Sequence, residues 1–154
     1  MVEIKTAAEL EKIRQASKIV ARTLALLKSN IRPGVSTADL NALAESEIRK
    51  HDAVPAFLGY RGYPATLCVS INEEVVHGIP NPQRFLKKGD VVSLDLGAVY
   101  LGFYGDAALT VAVGEVKQEL ARLISVTEQS LAKAISAVKS GARLGDVCHA
   151  VEGF

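Results

Sequence analysis

The stretch from Val91 to Val113, VVSLDLGAVYLGFYGDAALTVAV, is apolar and rich in β-branched residues, yet it carries two aspartates, Asp95 and Asp106. The residues on either side of Tyr100-Leu101-Gly102 predict two strands, 91–99 and 103–113, joined as a hairpin. A simple hairpin centred between residues 100 and 101 puts Asp95 directly opposite Asp106 on one face. Cross-strand Cβ atoms stand about 4.5–5.5 Å apart, where like charges repel. Two facing carboxylates in an apolar hairpin need a neutralising partner. That partner is a shared proton, a divalent cation, or two cations about 3.5–4 Å apart bridged by both groups. The plainer alternative is a bulge that shifts the register and turns one aspartate to solvent.

The chain has 154 residues, 49% hydrophobic and 23% charged, which is enough for one domain with a real core. Its net charge of +1 makes no case for nucleic-acid or membrane-surface binding. Cys68 and Cys148 form no CxxC pair, which fits a reducing compartment and no disulfide framework. The opening MVEIKTAAELEKIR lacks the apolar core of a signal peptide, and no run reaches the roughly 18 apolar residues of a membrane span. These observations predict a cytoplasmic chain.

Thr6 and Glu9 form a capping-box pattern that starts a helix, with Leu10, Ile13, Ser17, Val20, Leu24 and Leu27 as its inner stripe. Pro33-Gly34 ends that unit, and Ser36 caps a second helix with Leu40, Leu43 and Ile48 inward. From Val54 to Pro82 the texture changes: PAFLGYRGYP reads as an ordered loop and Thr66–Ile71 as a strand. Val75-Val76-His77 reads as a short strand ending in a histidine, before the turn Gly78-Ile79-Pro80-Asn81-Pro82. A third helix is predicted from about Val116 to Lys139, with Leu120, Ile124, Leu131, Ile135 and Val138 as its core stripe, and a fourth begins near Leu144.

Two segments echo each other, IRPGVSTADLNALAE from Ile31 and VKSGARLGDVCHAVE from Val138. In constant register Gly34 meets Gly141, Asp39 meets Asp146 and Glu45 meets Glu152. The echo predicts a single domain over 1–154 made of a first pseudo-repeat, 1–115, and the start of a second, 116–154. The second copy has its helices and no strands, so partner strands of the sheet are expected outside this chain.

Asp95 and Asp106 are hard oxygen donors suited to Mn²⁺, Fe²⁺, Co²⁺ or Zn²⁺. Of the three histidines, His51 reads as an exposed group and His149 as a surface or helix-interface group. His77 has two readings, an ordinary core histidine or an imidazole at a pocket edge that donates to a scissile amide. Phe57, Tyr60, Tyr63 and Cys68 are either local packing or the wall of a small apolar pocket. Cys68 by default is a buried small hydrophobe. Asn72 fixes a loop or offers its carbonyl to a monovalent cation.

The segments LGYRGYPATLCVSINEEVVHGIP and KKGDVVSLDLGAVYLGFYGDAALTVAVG resemble the type I methionine aminopeptidases. The likeness runs from IKTAAELEKIRQA to the fourth helix. The pattern D-x-G-A-x-Y-x-G-x-x-x-D alone is shared with prolidases, whereas SINEEVVHGIP with D-x₁₀-D is specific. The resemblance implies an α/β pita-bread fold, an antiparallel sheet covered by helices, with two halves related by a pseudo-twofold axis. It implies removal of N-terminal methionine from nascent polypeptides near the ribosome, with a metal-activated hydroxide attacking the peptide bond. By the motif, Asp95 and Asp106 are ligands of a two-metal centre, Asp106 bridging both ions. His77 contacts substrate and stabilises the tetrahedral intermediate. Phe57, Tyr60, Tyr63 and Cys68 line the methionine pocket, and Asn72 matches a monovalent-cation site. The family's other ligands, one histidine and two glutamates, come from a later stretch that the chain lacks. The chain is therefore expected to be the N-terminal portion of such an enzyme, inactive alone, with open sheet edges that favour self-association. The alternatives are an X-Pro peptidase of the same fold, or a pita-bread module that binds without catalysis.

Overall fold

The computed structural model describes residues 3–154. The chain divides into two compact units, one ending at Glu115 and the other spanning Val116–Phe154.

In the first unit, helix α1 (Ala7–Asn30) starts at the predicted capping box. Thr6 Oγ1 accepts the Glu9 N–H at 3.3 Å, and the Glu9 carboxylate accepts the Thr6 N–H at 2.7 Å. This satisfies two donors that a helix start leaves unpaired. Helix α2 (Thr37–Lys50) repeats the device with Ser36 and Asp39. The buried face of α1 is Ala16, Ile19, Val20, Thr23, Leu24 and Leu27. Ser17, expected inside, is exposed. A β-strand glycine explains the rotation: a Cβ built on Gly105 would fall 2.5 Å from the carbonyl carbon of Ala16. Strand and helix backbones touch there, so the helix presents its smallest side chain.

The sheet is antiparallel and contains β1 (Val54–Pro55), β2 (Leu67–Ile71), β3 (Val91–Tyr100) and β4 (Phe103–Ala112). Strand β3 is its spine. It pairs with β4 along its whole length on one edge. On the other edge it takes β2 and then β1 in series, with Leu67 opposite Leu96 and Pro55 opposite Ala98. Alternate residues Val92, Leu94, Leu96 and Ala98 face the core with Leu67, Val69 and Ile71, against Val20, Leu24, Leu27, Leu40 and Ile48. Burial of each such large side chain stabilises the fold by about 1.5–3 kcal/mol.

The hairpin register corrects the expected one. Tyr100 pairs with Phe103, leaving a two-residue turn in which Leu101 and Gly102 have φ of 49° and 81°. Two central residues with positive φ make the turn whose twist matches the flanking strands. Its centre lies one residue later than expected. Asp95 therefore pairs with Ala108, and Asp106 with Gly97. Every pairing shifts by two, so both aspartates keep the same face. No bulge intervenes.

The second unit consists of α3 (Gln118–Ala137) and α4 (Leu144–Glu152), with Gly141 at φ 85° between them. The predicted stripe of α3 is only partly covered: Leu120 and Ile124 are half-buried, whereas Leu131, Ile135 and Val138 are exposed. The buried residue of α3 is Ala134, on the same C-terminal half as the exposed leucine and isoleucine. Among the described residues no helix is long and apolar enough to cross a membrane.

Candidate active site

The face of the sheet that does not meet α1 carries Cys68 and Ser70 of β2, Ser93 and Asp95 of β3, and Asp106 and Thr110 of β4. The parity follows from the register, with Cys68 opposite Asp95 and Ser70 opposite Ser93. Asp95 and Asp106 are diagonal neighbours rather than a facing pair, so their backbones stand about 7–8 Å apart. A cavity of about 730 Å³ opens over them, lined by Phe57, Tyr63, Cys68, His77, Asp95 and Asp106, with Tyr60, Arg61 and Ile79 also on its wall. A smaller cavity of about 370 Å³ beside the α1–α2 turn has only Asp39 as a titratable acid, and that carboxylate is engaged in the α2 cap.

The Asp95 carboxyl is held above its ordinary value, first by burial and then by the charge of Asp106, with His77 opposing. Burial also pushes up the Cys68 thiol and the Tyr63 phenol. Cys68 is buried, as its default reading expects, and it also borders the cavity. Tyr63 turns its ring to the cavity while its hydroxyl lies 3.1 Å from the Leu67 carbonyl oxygen. The loop that carries Tyr60 and Tyr63 is ordered as expected, around a short 3₁₀ turn at Tyr60–Gly62. Tyr60 itself is 63% exposed and sits at the rim, where the Arg61 guanidinium lies 5.5 Å from its ring centre.

His77 reaches this cavity from an unexpected local structure. The strand predicted over Val75-Val76-His77 does not form; Val75 is 86% exposed and His77 adopts φ 60°. The segment runs past the outer edge of β2, where the Val69 N–H meets the Gly78 carbonyl at 2.8 Å, and the positive φ of His77 breaks the extended backbone that a strand needs. Asn72 shows its loop-fixing role: its Oδ1 accepts the Val91 N–H at 2.9 Å and its Nδ2 donates to Asp90 at 3.0 Å. His51 closes α2, 3.2 Å from Glu47, and His149 is exposed on α4; neither lines the cavity.

Three residues with a place around the site escaped the sequence reading. Arg61 lines the cavity. Ser70 lies on its face of the sheet, and the alternation of β2 two residues beyond Cys68 was a signal for it. Glu74 braces the loop, accepting the Ile71 N–H at 2.9 Å and pairing with Arg84 at 2.7 Å; nothing local marks that pair.

Two carboxylates in one partly buried cavity are hard oxygen donors, and they fit a divalent cation as two members of a ligand set. Among the described residues no group of three or more His, Cys, Asp or Glu side chains is placed to hold a metal ion.

The chain belongs to metallopeptidase family M24, which its residues 11–154 match. It is 49% identical over 154 residues to the methionine aminopeptidase of Clostridium acetobutylicum, covering all of this chain and 62% of that protein. Its structure superposes on the crystal structure of methionine aminopeptidase from Thermotoga maritima with a TM-score of 0.94 at 47% identity, covering 97% of this chain and 60% of that one. The X-Pro aminopeptidase of Thermotoga maritima gives a TM-score of 0.73 at 26% identity. The fold is the pita-bread fold of these enzymes. The chain spans 62% of the length of the Clostridium relative.

Proposed function

We propose that this chain is the N-terminal portion of a methionine aminopeptidase, which removes N-terminal methionine from nascent polypeptides in the cytoplasm. The observation that carries the proposal is the cavity itself. It brings Asp95, Asp106 and His77 together with an apolar wall of Phe57, Tyr63 and Cys68. The stronger likeness to methionine aminopeptidases than to the X-Pro enzyme supports methionine as the residue removed.

Asp95 and Asp106 would hold a pair of divalent ions, Co, Mn, Fe or Zn, as hard oxygen donors. Bound there, the ions supply Lewis acidity and lower the pKa of water. The chain's own residues bind and orient. The apolar wall takes a flexible, unbranched thioether side chain, for which a polarisable sulfur against aromatic rings is favourable. The His77 imidazole donates a hydrogen bond to the oxygen that gains charge as the peptide carbonyl becomes tetrahedral. Cys68, kept neutral by burial, excludes water from the pocket floor. Asn72, already carrying two hydrogen bonds, has a spare carbonyl lone pair for a monovalent cation.

Residues 1–115 form the first pseudo-repeat and 116–154 the opening of the second. The remaining ligands belong to the rest of the enzyme, and without them the chain holds metal weakly and self-associates through its open sheet edge. Work close to the ribosome follows from a nascent-chain substrate.

The test is release of methionine from a Met-Ala-Ser peptide with Mn²⁺ or Co²⁺. We expect no turnover by the 154-residue chain and turnover by the full-length natural protein. Failure of the full-length protein to release methionine overturns the proposal.

A further inference from the structure

His77 stands on an exposed segment, yet the residue after it is gripped on both sides of its backbone. The Gly78 N–H donates to Ser70 Oγ at 3.1 Å. The Gly78 carbonyl accepts the Val69 N–H at 2.8 Å, and the Tyr63 hydroxyl lies 3.2 Å from the same oxygen. The approach is so close that a Cβ on Gly78 would fall 2.1 Å from the Val69 carbonyl oxygen. Around this grip the chain is open, with Val76 60% and Ile79 56% exposed. His77 itself has φ 60°, a conformation that a non-glycine residue keeps only when its surroundings hold it there.

Ser70 is the polar exception in β2, whose sequence LCVSI is buried throughout. A buried hydroxyl is unfavourable in an apolar strand unless it has a partner. Its neighbour across the ladder, Ser93, is bonded to Thr110 at 2.9 Å instead. The partner that Ser70 has is the Gly78 N–H.

We infer that Ser70 is a positioning residue for His77. Its hydroxyl, with the Tyr63 hydroxyl on the other side of Gly78, docks that glycine on β2 and so sets the imidazole at the cavity of Asp95 and Asp106. The catalytic half of the inference rests on the aminopeptidase proposal; the docking half rests on the hydrogen bonds alone.

The test is Ser70→Ala in the full-length protein, which removes the acceptor without adding bulk. The Val69 amide reports docking, because its proton is bonded to Gly78. Its hydrogen exchange is expected to speed at least tenfold while exchange across the β3–β4 ladder stays unchanged. With the Met-Ala-Ser peptide, kcat is expected to fall about tenfold and KM to stay within twofold, a split that loss of stability alone does not produce. Val69 exchange and kcat both within twofold of the parent overturn the inference. Faster Val69 exchange with unchanged kcat retains the dock but overturns the positioning role. Should Ser70→Ala fail to fold, Ser70→Cys decides, since it keeps the side chain's shape and replaces the hydroxyl by a weak acceptor; Val69 exchange within twofold of the parent there overturns the dock. A parent protein that releases no methionine overturns the aminopeptidase proposal, and the exchange measurement still decides the docking.

Discussion

Gly105→Ala is the sharpest test of how α1 sits on the sheet, because two effects of opposite sign compete. In a strand with free space, replacing glycine by alanine removes backbone entropy from the unfolded chain and stabilises by roughly 0.5–1 kcal/mol. At Gly105 the new methyl would lie 2.5 Å from the carbonyl carbon of Ala16, 2.6 Å from the Ser17 nitrogen and 2.7 Å from the Ala16 oxygen. All three are backbone atoms well inside a 24-residue helix, so no rotamer change relieves them. Reaching ordinary contact at 3.4 Å or beyond requires α1 to lift by about 1 Å. A gap of 0.5–1 Å forfeits about a quarter to a half of each affected dispersion contact. The affected contacts are those that Val20, Leu24 and Leu27 make with the sheet core. Overpacking of this kind costs about 1–3 kcal/mol, and the backbone clash places Gly105 near the top of that range. The net expectation is a loss of about 2 kcal/mol, or about 4–8 °C in Tm for a chain of this size. Urea unfolding followed by far-UV circular dichroism measures it; the chain has no tryptophan for fluorescence. A Gly105→Ala protein as stable as its parent, or more stable, refutes the close helix–strand approach.

Asp106→Asn removes one of the two charged oxygen donors, and the full-length protein is expected to lose its divalent-metal binding in calorimetric titration with Mn²⁺; unchanged stoichiometry sinks its role as a ligand. Ser36→Ala deletes the cap that receives the Asp39 N–H at 3.0 Å and is expected to lower stability by about 1 kcal/mol, measured by urea unfolding; a change near zero means that the cap bond does not contribute. The Glu74 carboxyl is held below its ordinary value of 4.5, first by the Arg84 side chain and also by the Ile71 N–H, with burial opposing. A folded pKa below the unfolded one stabilises above the unfolded value and loses that contribution as pH falls through the folded one. Wild type should therefore exceed Glu74→Gln in stability at pH 7, with the gap closing below pH 4.5; a gap that widens in acid contradicts the assigned bonds.

The two capping boxes were legible because each is complete within four residues and needs no distant partner. The same holds for the helices themselves and for the strand character of Leu67–Ile71 and of the Asp95 hairpin, which follow from composition and period. That Asp95 and Asp106 share a face was legible too, since any register shifted by two residues preserves it. Their direct opposition was not. It depended on whether Tyr100 joins the strand or the turn, and the positive φ of Leu101 settled that. The Val75–His77 segment has the composition of a strand and lies in a loop, because the tertiary contacts that hold His77 at φ 60° override propensity.

The stripe of α3 shows the same division. Its period announced a helix with an apolar side, and the helix formed, but period cannot say which side meets a partner; Ala134 is buried while Leu131, Ile135 and Val138 stay exposed. Helix starts, strand alternation and the common face of the two carboxylates were thus set by interactions within a few residues, or by a period that survives any packing. The exact register, the rotation of α1 onto Gly105, the loop that carries His77 and its bond to Ser70 belong to tertiary structure. Each depends on which backbone can approach which other, and that is a property of the assembled chain rather than of any window along it.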